Sequence, residues 1–141
     1  LDLVSGMYEA YDYGHDTVIL TDEEGNISEG PGFNIFCVYK NGLHSPSQGV
    51  LEGITRQTVL DLAKELNIPF KLNSISLEKL QCSSEVFATS SAGGIMPITK
   101  INNKIVDNGA PGKITRIVHQ SYWDKHFDKT WSDSIKDLLA Q

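Results

Sequence analysis

Phe33-Asn-Ile-Phe-Cys-Val-Tyr-Lys40 is the strongest strand signal in the chain, and Asn41-Gly42 follows it directly. Aromatic and β-branched side chains fill the run. An Asn-Gly pair tolerates positive φ at both positions, so it reads as a two-residue hairpin turn. Leu43-His-Ser45 is then the return strand, stopped by Pro46. A chain built around such a hairpin is committed to a sheet, and the rest of the pattern must supply what covers it.

Helical and strand patterns alternate along the remainder. Thr17–Thr21 and Ile27–Glu29 read as short strands flanking the turn Asp22-Glu-Glu-Gly-Asn26, and Gly30-Pro-Gly32 interrupts the second. Ile54 to Leu66 reads as a helix, with Ile54, Val59, Leu62, Ala63 and Leu66 on an apolar stripe and Pro69 beyond its end. Phe70–Ile75 reads as a strand. Leu77–Leu80 reads as a short helix with Ser76 as N-cap, and Lys79 stands where a capping box wants an acid or amide. Glu85–Thr89 is another strand. Ile95–Lys100 and Lys104–Val106 form a second hairpin around Asn102-Asn103, and Lys113 to about His126 is a long helix facing inward with Ile114, Ile117, Val118 and Tyr122. Interleaved helices and hairpin-like strand pairs imply an α+β (mixed α/β) class, a mixed sheet with packed helices. No clean linker interrupts the 141 residues, so they read as one domain.

Composition removes several function classes. A net charge of −6 with two arginines, Arg56 and Arg116, offers no basic face for nucleic acid. No apolar run approaches the roughly 20 residues needed to span a bilayer. Low-complexity tracts and internal repeats are absent from the pattern. Cys37 and Cys82 lie far apart with no Cys/His cluster of metal-ligand spacing, so no metal site is expected. Two free thiols fit a reducing cytosol. The chain starts at Leu1, and Leu1, Val4, Met7 and Tyr8 fall at helical spacing. It reads as opening inside an amphipathic helix, either because an end was trimmed or because an upstream piece precedes it.

Three loops carry candidate chemistry. In Glu29-Gly-Pro-Gly-Phe-Asn34 the glycines let backbone pass close to a ligand, or they serve a tight bulge. In Leu51-Glu-Gly-Ile-Thr-Arg56, Gly53 leads into the amphipathic helix. There the free N–H groups of Gly53, Ile54 and Thr55 can cradle a phosphate, or simply start a helix. In Thr89-Ser-Ser-Ala-Gly-Gly94, three hydroxyls follow a strand and offer donors to an anion, or form an ordinary Ser/Gly turn. The Walker and nucleophile-elbow patterns are absent, and no histidine lies near the serines in sequence.

Taken together, Glu29-Gly-Pro-Gly-Phe-Asn34, Gly49-Val-Leu-Glu-Gly-Ile-Thr-Arg56 and Glu85-Val-Phe-Ala-Thr-Ser-Ser-Ala-Gly-Gly-Ile-Met-Pro97 resemble the C-terminal part of fold-type IV pyridoxal-phosphate-dependent aminotransferases. That family includes the branched-chain and D-amino-acid aminotransferases. Ala92-Gly-Gly-Ile-Met-Pro-Ile98 looks most like its (R)-selective amine transaminases. The resemblance implies the family's large C-terminal domain, a pseudo-barrel or mixed sheet with packed helices, truncated at its N-terminal edge and occupying residues 1–141. It implies pyridoxal 5'-phosphate as cofactor. Glu29 would pair with the pyridine nitrogen and favour its charged form. Leu51 would pack on the ring. The helix start at Gly53, with the backbone of Ile54 and Thr55, would bind the phosphate, and Ser91 would add a hydroxyl. Ser90 and Ala92 would line the substrate pocket, and Phe33 and Asn34 the cofactor wall.

By the same resemblance, the partners are an amine or amino acid and a keto acid, in a cytoplasmic dimer. The lysine that forms the Schiff base would fall a few residues before Leu1, because the first lysine here, Lys40, already lies beyond Glu29. No catalytic lysine is therefore expected in this chain, and turnover by it alone is not expected. The alternatives are a non-catalytic module that binds pyridoxal phosphate or another phosphate or serves only assembly with a partner, or a lyase relative of the aminodeoxychorismate kind.

Overall fold

The structure, a computed structural model, describes residues 2–139. Its centre is a five-stranded sheet ordered β3-β2-β1-β4-β5, made of β1 (Asn34–Tyr39), β2 (Gly42–Ser45), β3 (Phe70–Leu72), β4 (Glu85–Ser90) and β5 (Gly94–Ile98). The β2–β3 pair is parallel and the others are antiparallel. The middle strands, β1 and β4, are buried on both faces, which is why they read as continuous apolar runs rather than alternating ones.

One face carries Phe36, Val38, Leu43, Phe87 and Ile95, and α2 (Ile54–Glu65) and α4 (Lys113–Asp124) cover it through Val59, Leu60, Ala63 and Val118. Phe36 and Phe87 stack across the β1–β4 ladder with ring centroids 5.2 Å apart. The other face carries Ile35, Cys37, Val86 and Ala88. It is closed by Ile27, by Ile75 and Leu80 at α3 (Leu77–Gln81), and by Ile101 and Val106 around the small β6–β7 pair (Lys100–Ile101, Lys104–Ile105). Ser76 caps α3 as expected, its hydroxyl accepting from Lys79 N at 3.1 Å.

Several sequence expectations shift. The hairpin turn is Lys40-Asn41, both with positive φ (49° and 61°), and Gly42 already pairs with Tyr39. Thr17–Thr21 and Ile27–Glu29 do not form strands. Ser28 N donates to the Leu20 carbonyl and Leu20 N to the Glu29 carbonyl, so two residues face one, as in a β-bulge. The run from Ile95 to Lys100 divides. Its first part pairs with β4, where Pro97 is tolerated on an edge strand, and the hairpin around Asn102-Asn103 keeps only two residues a side.

Helices differ at their ends. Ile54, placed in the buried stripe from its spacing, is 81% exposed because α2 begins where a cleft opens at the end of the sheet. α1 (Asp2–Asp12) rests on Gly6 and Ala10 rather than on Val4 and Tyr8, which are exposed; Leu1 lies outside the described residues. After α4 the chain continues through a 3-10 turn (Lys125–Phe127) to α5 (Ile135–Leu139), which the pattern did not announce.

α4 has a glycine, Gly112, at its N-cap and draws its cap from the sheet. The Glu85 carboxylate accepts from Ile114 N (3.0 Å), Thr115 N (2.7 Å) and the Thr115 hydroxyl (2.6 Å). Opposite charge at the positive end of the helix is the favourable arrangement. Removing this buried acceptor in Glu85→Ala is expected to cost about 1–3 kcal/mol of stability. Urea denaturation would measure the loss, with faster amide exchange at Ile114 and Thr115. The two cysteines should also separate chemically: Cys37 is buried, and burial pushes its thiol pKa up, whereas Cys82 is exposed. Mass spectrometry after brief maleimide treatment of the native protein should find one adduct, on Cys82.

Candidate active site

The three loops meet at one end of the sheet around a cleft of about 290 Å³. Glu29 is delivered by the bulged segment opposite Leu20. Gly30 and Phe33 then exchange both backbone hydrogen bonds (3.1 and 3.2 Å), closing a tight turn. A Cβ on Gly30 would collide with the Phe33 ring, so the turn requires glycine there. Asn34, the first residue of β1, holds the next layer. Its Nδ2 donates to Glu29 Oε2 at 3.1 Å and to the Leu51 carbonyl at 2.9 Å. Leu51 N also donates to Glu29 Oε2, at 2.8 Å. One carboxylate oxygen is thus locked by two donors. The other, Oε1, accepts from no described residue while Glu29 lines the cleft.

The second wall is the start of α2. Gly53 is its N-cap with extended φ/ψ, and no side chain caps the helix. Gly53 cannot carry a side chain, since a Cβ would strike Asn34 Oδ1. The first-turn N–H groups have no intrahelical acceptor, and no acid stands in that turn. Thr55 is buried and lines the cleft. Leu51 is 72% exposed and, with Ile54, leaves apolar surface at the mouth.

The third wall comes from β4 and its turn. Ser90 and Ser91 line the cleft. The Ser90 hydroxyl is already engaged, accepting from Gly93 N at 2.9 Å. Ala92 lies outside the cleft, exposed in the turn between β4 and β5. Glu29, Phe33, Asn34, Leu51, Gly53, Ile54, Thr55, Ser90 and Ser91 therefore come together, and Ala92 does not join them.

Among the lining residues that the sequence pattern did not single out, two are buried polar side chains, Arg56 and Thr89. Arg56 is 5% exposed; its Nε donates to Ser45 Oγ (3.3 Å) and its Nη2 to the Pro46 carbonyl (2.8 Å). Burial draws its pKa below the ordinary guanidinium value, with the charge of Glu52 acting the other way. No carboxylate forms an ion pair with it among the described residues. Thr89 is 2% exposed, and its hydroxyl finds no hydrogen-bond partner among the described residues. Leaving a buried hydroxyl unpaired costs about 1–3 kcal/mol. A signal for both existed. Thr89 shares a strand face with Phe87 by simple alternation, and Ile-Thr-Arg occurs twice, at residues 54–56 and 114–116.

That recurrence gives an internal comparison. Both Ile-Thr-Arg segments open a glycine-capped helix on the same sheet face. At α4 the helix start holds the Glu85 carboxylate; at α2 it faces the cleft with no acid supplied. An uncapped helix start, a buried arginine and free hydroxyls suit an anion such as a phosphate. A fixed carboxylate with one free oxygen suits a cationic N–H donor. These donor and acceptor groups fit pyridoxal phosphate. No described lysine lines the cleft, and no three described His, Cys, Asp or Glu side chains gather to hold a metal ion. Among the described residues no helix is long and apolar enough to cross a membrane.

Comparison with known proteins agrees with this arrangement. Residues 2–101 match the family described as "Amino-transferase class IV". A probable branched-chain-amino-acid aminotransferase of Aquifex aeolicus is 38% identical over 120 residues, covering 82% of this chain and 38% of that protein. A solved T.th. branched-chain amino acid aminotransferase with pyridoxamine 5'-phosphate superposes with a TM-score of 0.84 at 29% identity, over 88% of this chain and 42% of that one. The enzyme of the archaeon Thermoproteus uzoniensis with norvaline gives 0.85 at 33% identity, over 92% and 44%. The chain spans about two-fifths of the length of these relatives. All three cleft-forming loops fall within the matched segment, and the chain belongs to the class IV aminotransferase family.

Proposed function

We propose that this chain is the cofactor-binding half of a pyridoxal-phosphate-dependent aminotransferase that exchanges amino groups between an amino acid and a keto acid. The observation that carries the reading is the meeting, in one cleft, of the Glu29 carboxylate and the uncapped start of α2. The likeness to a structure described with pyridoxamine 5'-phosphate supports it. The names of the relatives favour a branched-chain amino acid as donor over a simple primary amine.

When bound, pyridoxal phosphate supplies an electron sink for the bond broken at the substrate's α-carbon. The chain's own residues prepare that chemistry. Glu29, oriented by Asn34 and Leu51 N, would accept from the pyridine nitrogen and favour its protonated form. The N–H groups of Ile54 and Thr55, with the Thr55 and Ser91 hydroxyls, would hold the phosphate. Leu51, exposed at the mouth, would pack on the apolar face of the ring. Phe33 braces the turn that carries Glu29.

The proton-moving lysine is the part this cleft does not supply, and we assign it to a segment upstream of Leu1. The same observation favours, for the isolated chain, binding without chemistry. This chain alone is expected to show no transamination above a control with free pyridoxal phosphate. A longer chain that includes the upstream lysine should gain a visible absorbance band that shifts on adding an amino acid. Turnover by the short chain, or an unperturbed spectrum with the long one, would overturn the assignment. In the longer chain, Glu29→Gln is expected to lower kcat roughly 10²-fold or more, the scale on which one preorganised electrostatic partner acts. Cofactor should remain bound, so the loss would appear in kcat measured at saturating pyridoxal phosphate.

A further inference from the structure

We infer that the Thr89 hydroxyl is an anion-binding donor, a fourth arm of the phosphate site alongside the α2 N–H groups, Thr55 and Ser91. The inference rests on the proposed pyridoxal-phosphate function and adds a residue to it. Thr89 stands on the same face of β4 as Glu85 and Phe87, paired with Asn34 on one side and Ile95 on the other. It lines the cleft that the start of α2 also lines, it is 2% exposed, and its Oγ1 has no partner among the described residues.

β4 therefore serves both helix starts from one face. At its beginning, Glu85 supplies the oxyanion that α4 takes. At its end, beside α2, the corresponding side chain is a hydroxyl. It does not cap α2, because it accepts from none of that helix's N–H groups. A hydroxyl beside the unpaired N–H groups adds one more donor to that helix start. An acceptor from outside completes the set, and a phosphate has oxygens enough for all of these donors.

Three substitutions in the full chain test this, with inorganic phosphate and pyridoxal phosphate as separate titrants followed by calorimetry and thermal denaturation. Thr89→Val keeps the shape and removes the hydroxyl. It is expected to weaken both titrants about tenfold, as for loss of one hydrogen bond to a charged group. It should also raise the melting temperature of the ligand-free protein, since an unpaired buried hydroxyl is gone. Thr89→Ser should bind like the parent, and it tests the hydroxyl if the valine variant does not fold. Thr55→Val is the benchmark for the phosphate site itself.

If Thr55→Val weakens phosphate and Thr89→Val does not, the Thr89 inference falls and the proposed function stands. If Thr89→Val lowers ligand-free stability, the hydroxyl is a structural element of the fold and the inference also falls. If Thr89→Val weakens pyridoxal phosphate but leaves inorganic phosphate untouched, the hydroxyl meets another part of the cofactor and the phosphate assignment is overturned. If the parent chain binds neither titrant, both readings fail together.

Discussion

The β1–β4 ladder is the member on which the rest of the molecule leans. Phe36 and Phe87 stack across it on one face, and Ile35, Cys37, Val86 and Ala88 fill the other. Because both faces are buried, neither strand can slip by one residue without exchanging the packing of both clusters. A fixed register fixes the strand ends. Asn34 is thereby set opposite Thr89, and Glu85 opposite Val38. The two helices on the Phe36 side take their positions from that surface, so their N-termini are located by the core and not by the loops that precede them.

Those two helix starts are treated in opposite ways. Gly112 and Gly53 each open a helix without a side-chain cap of their own. The first is satisfied from the sheet by Glu85 and contributes to stability. The second is bordered by Asn34, whose amide is committed to Glu29 and Leu51 and supplies no negative charge to the helix. A glycine at each start permits the close approach. At Gly112 the neighbour is the Glu85 carboxylate, and at Gly53 it is the Asn34 amide oxygen. The two helix starts thus differ by one side chain on β4, Glu85 beside α4 and Thr89 on the α2 side.

Much of this was legible in the sequence because it rests on local pattern. The strands Asn34–Tyr39 and Glu85–Ser90 and the helices from Ile54 and Lys113 follow from runs and periods, and Ser76 follows from cap chemistry. The cleft residues were legible as three motifs, but their convergence followed only from the family resemblance and not from local pattern, since it depends on the β1–β4 register. The shift of the hairpin turn to Lys40-Asn41 shows pairing overriding turn propensity: the Tyr39–Gly42 pair puts the glycine in the ladder. Ile54 misled because its spacing is that of a core residue while its helix overhangs the end of the sheet. The sequence signals for Thr89 and Arg56 were weak because burial, not residue type, gives them significance.

Several departures from good packing border the cleft. Among the described residues, an unpaired hydroxyl at Thr89, a buried guanidinium in no ion pair at Arg56, an α2 start with no side-chain cap, and apolar Leu51 and Ile54 in solvent all border one cleft. Elsewhere the same chain solves the equivalent problems, with Glu85 on α4 and Ser76 on α3. The same chain satisfies one helix start and leaves another without a side-chain cap beside a buried arginine, which supports the proposed cofactor as the missing partner. The chemistry of the open groups describes it: several oxygen acceptors carrying negative charge, joined to an apolar face and to a cationic N–H. That composite requirement is narrower than that of an anion site, and it supports the proposed pyridoxal phosphate more firmly than any one of the three loops does alone.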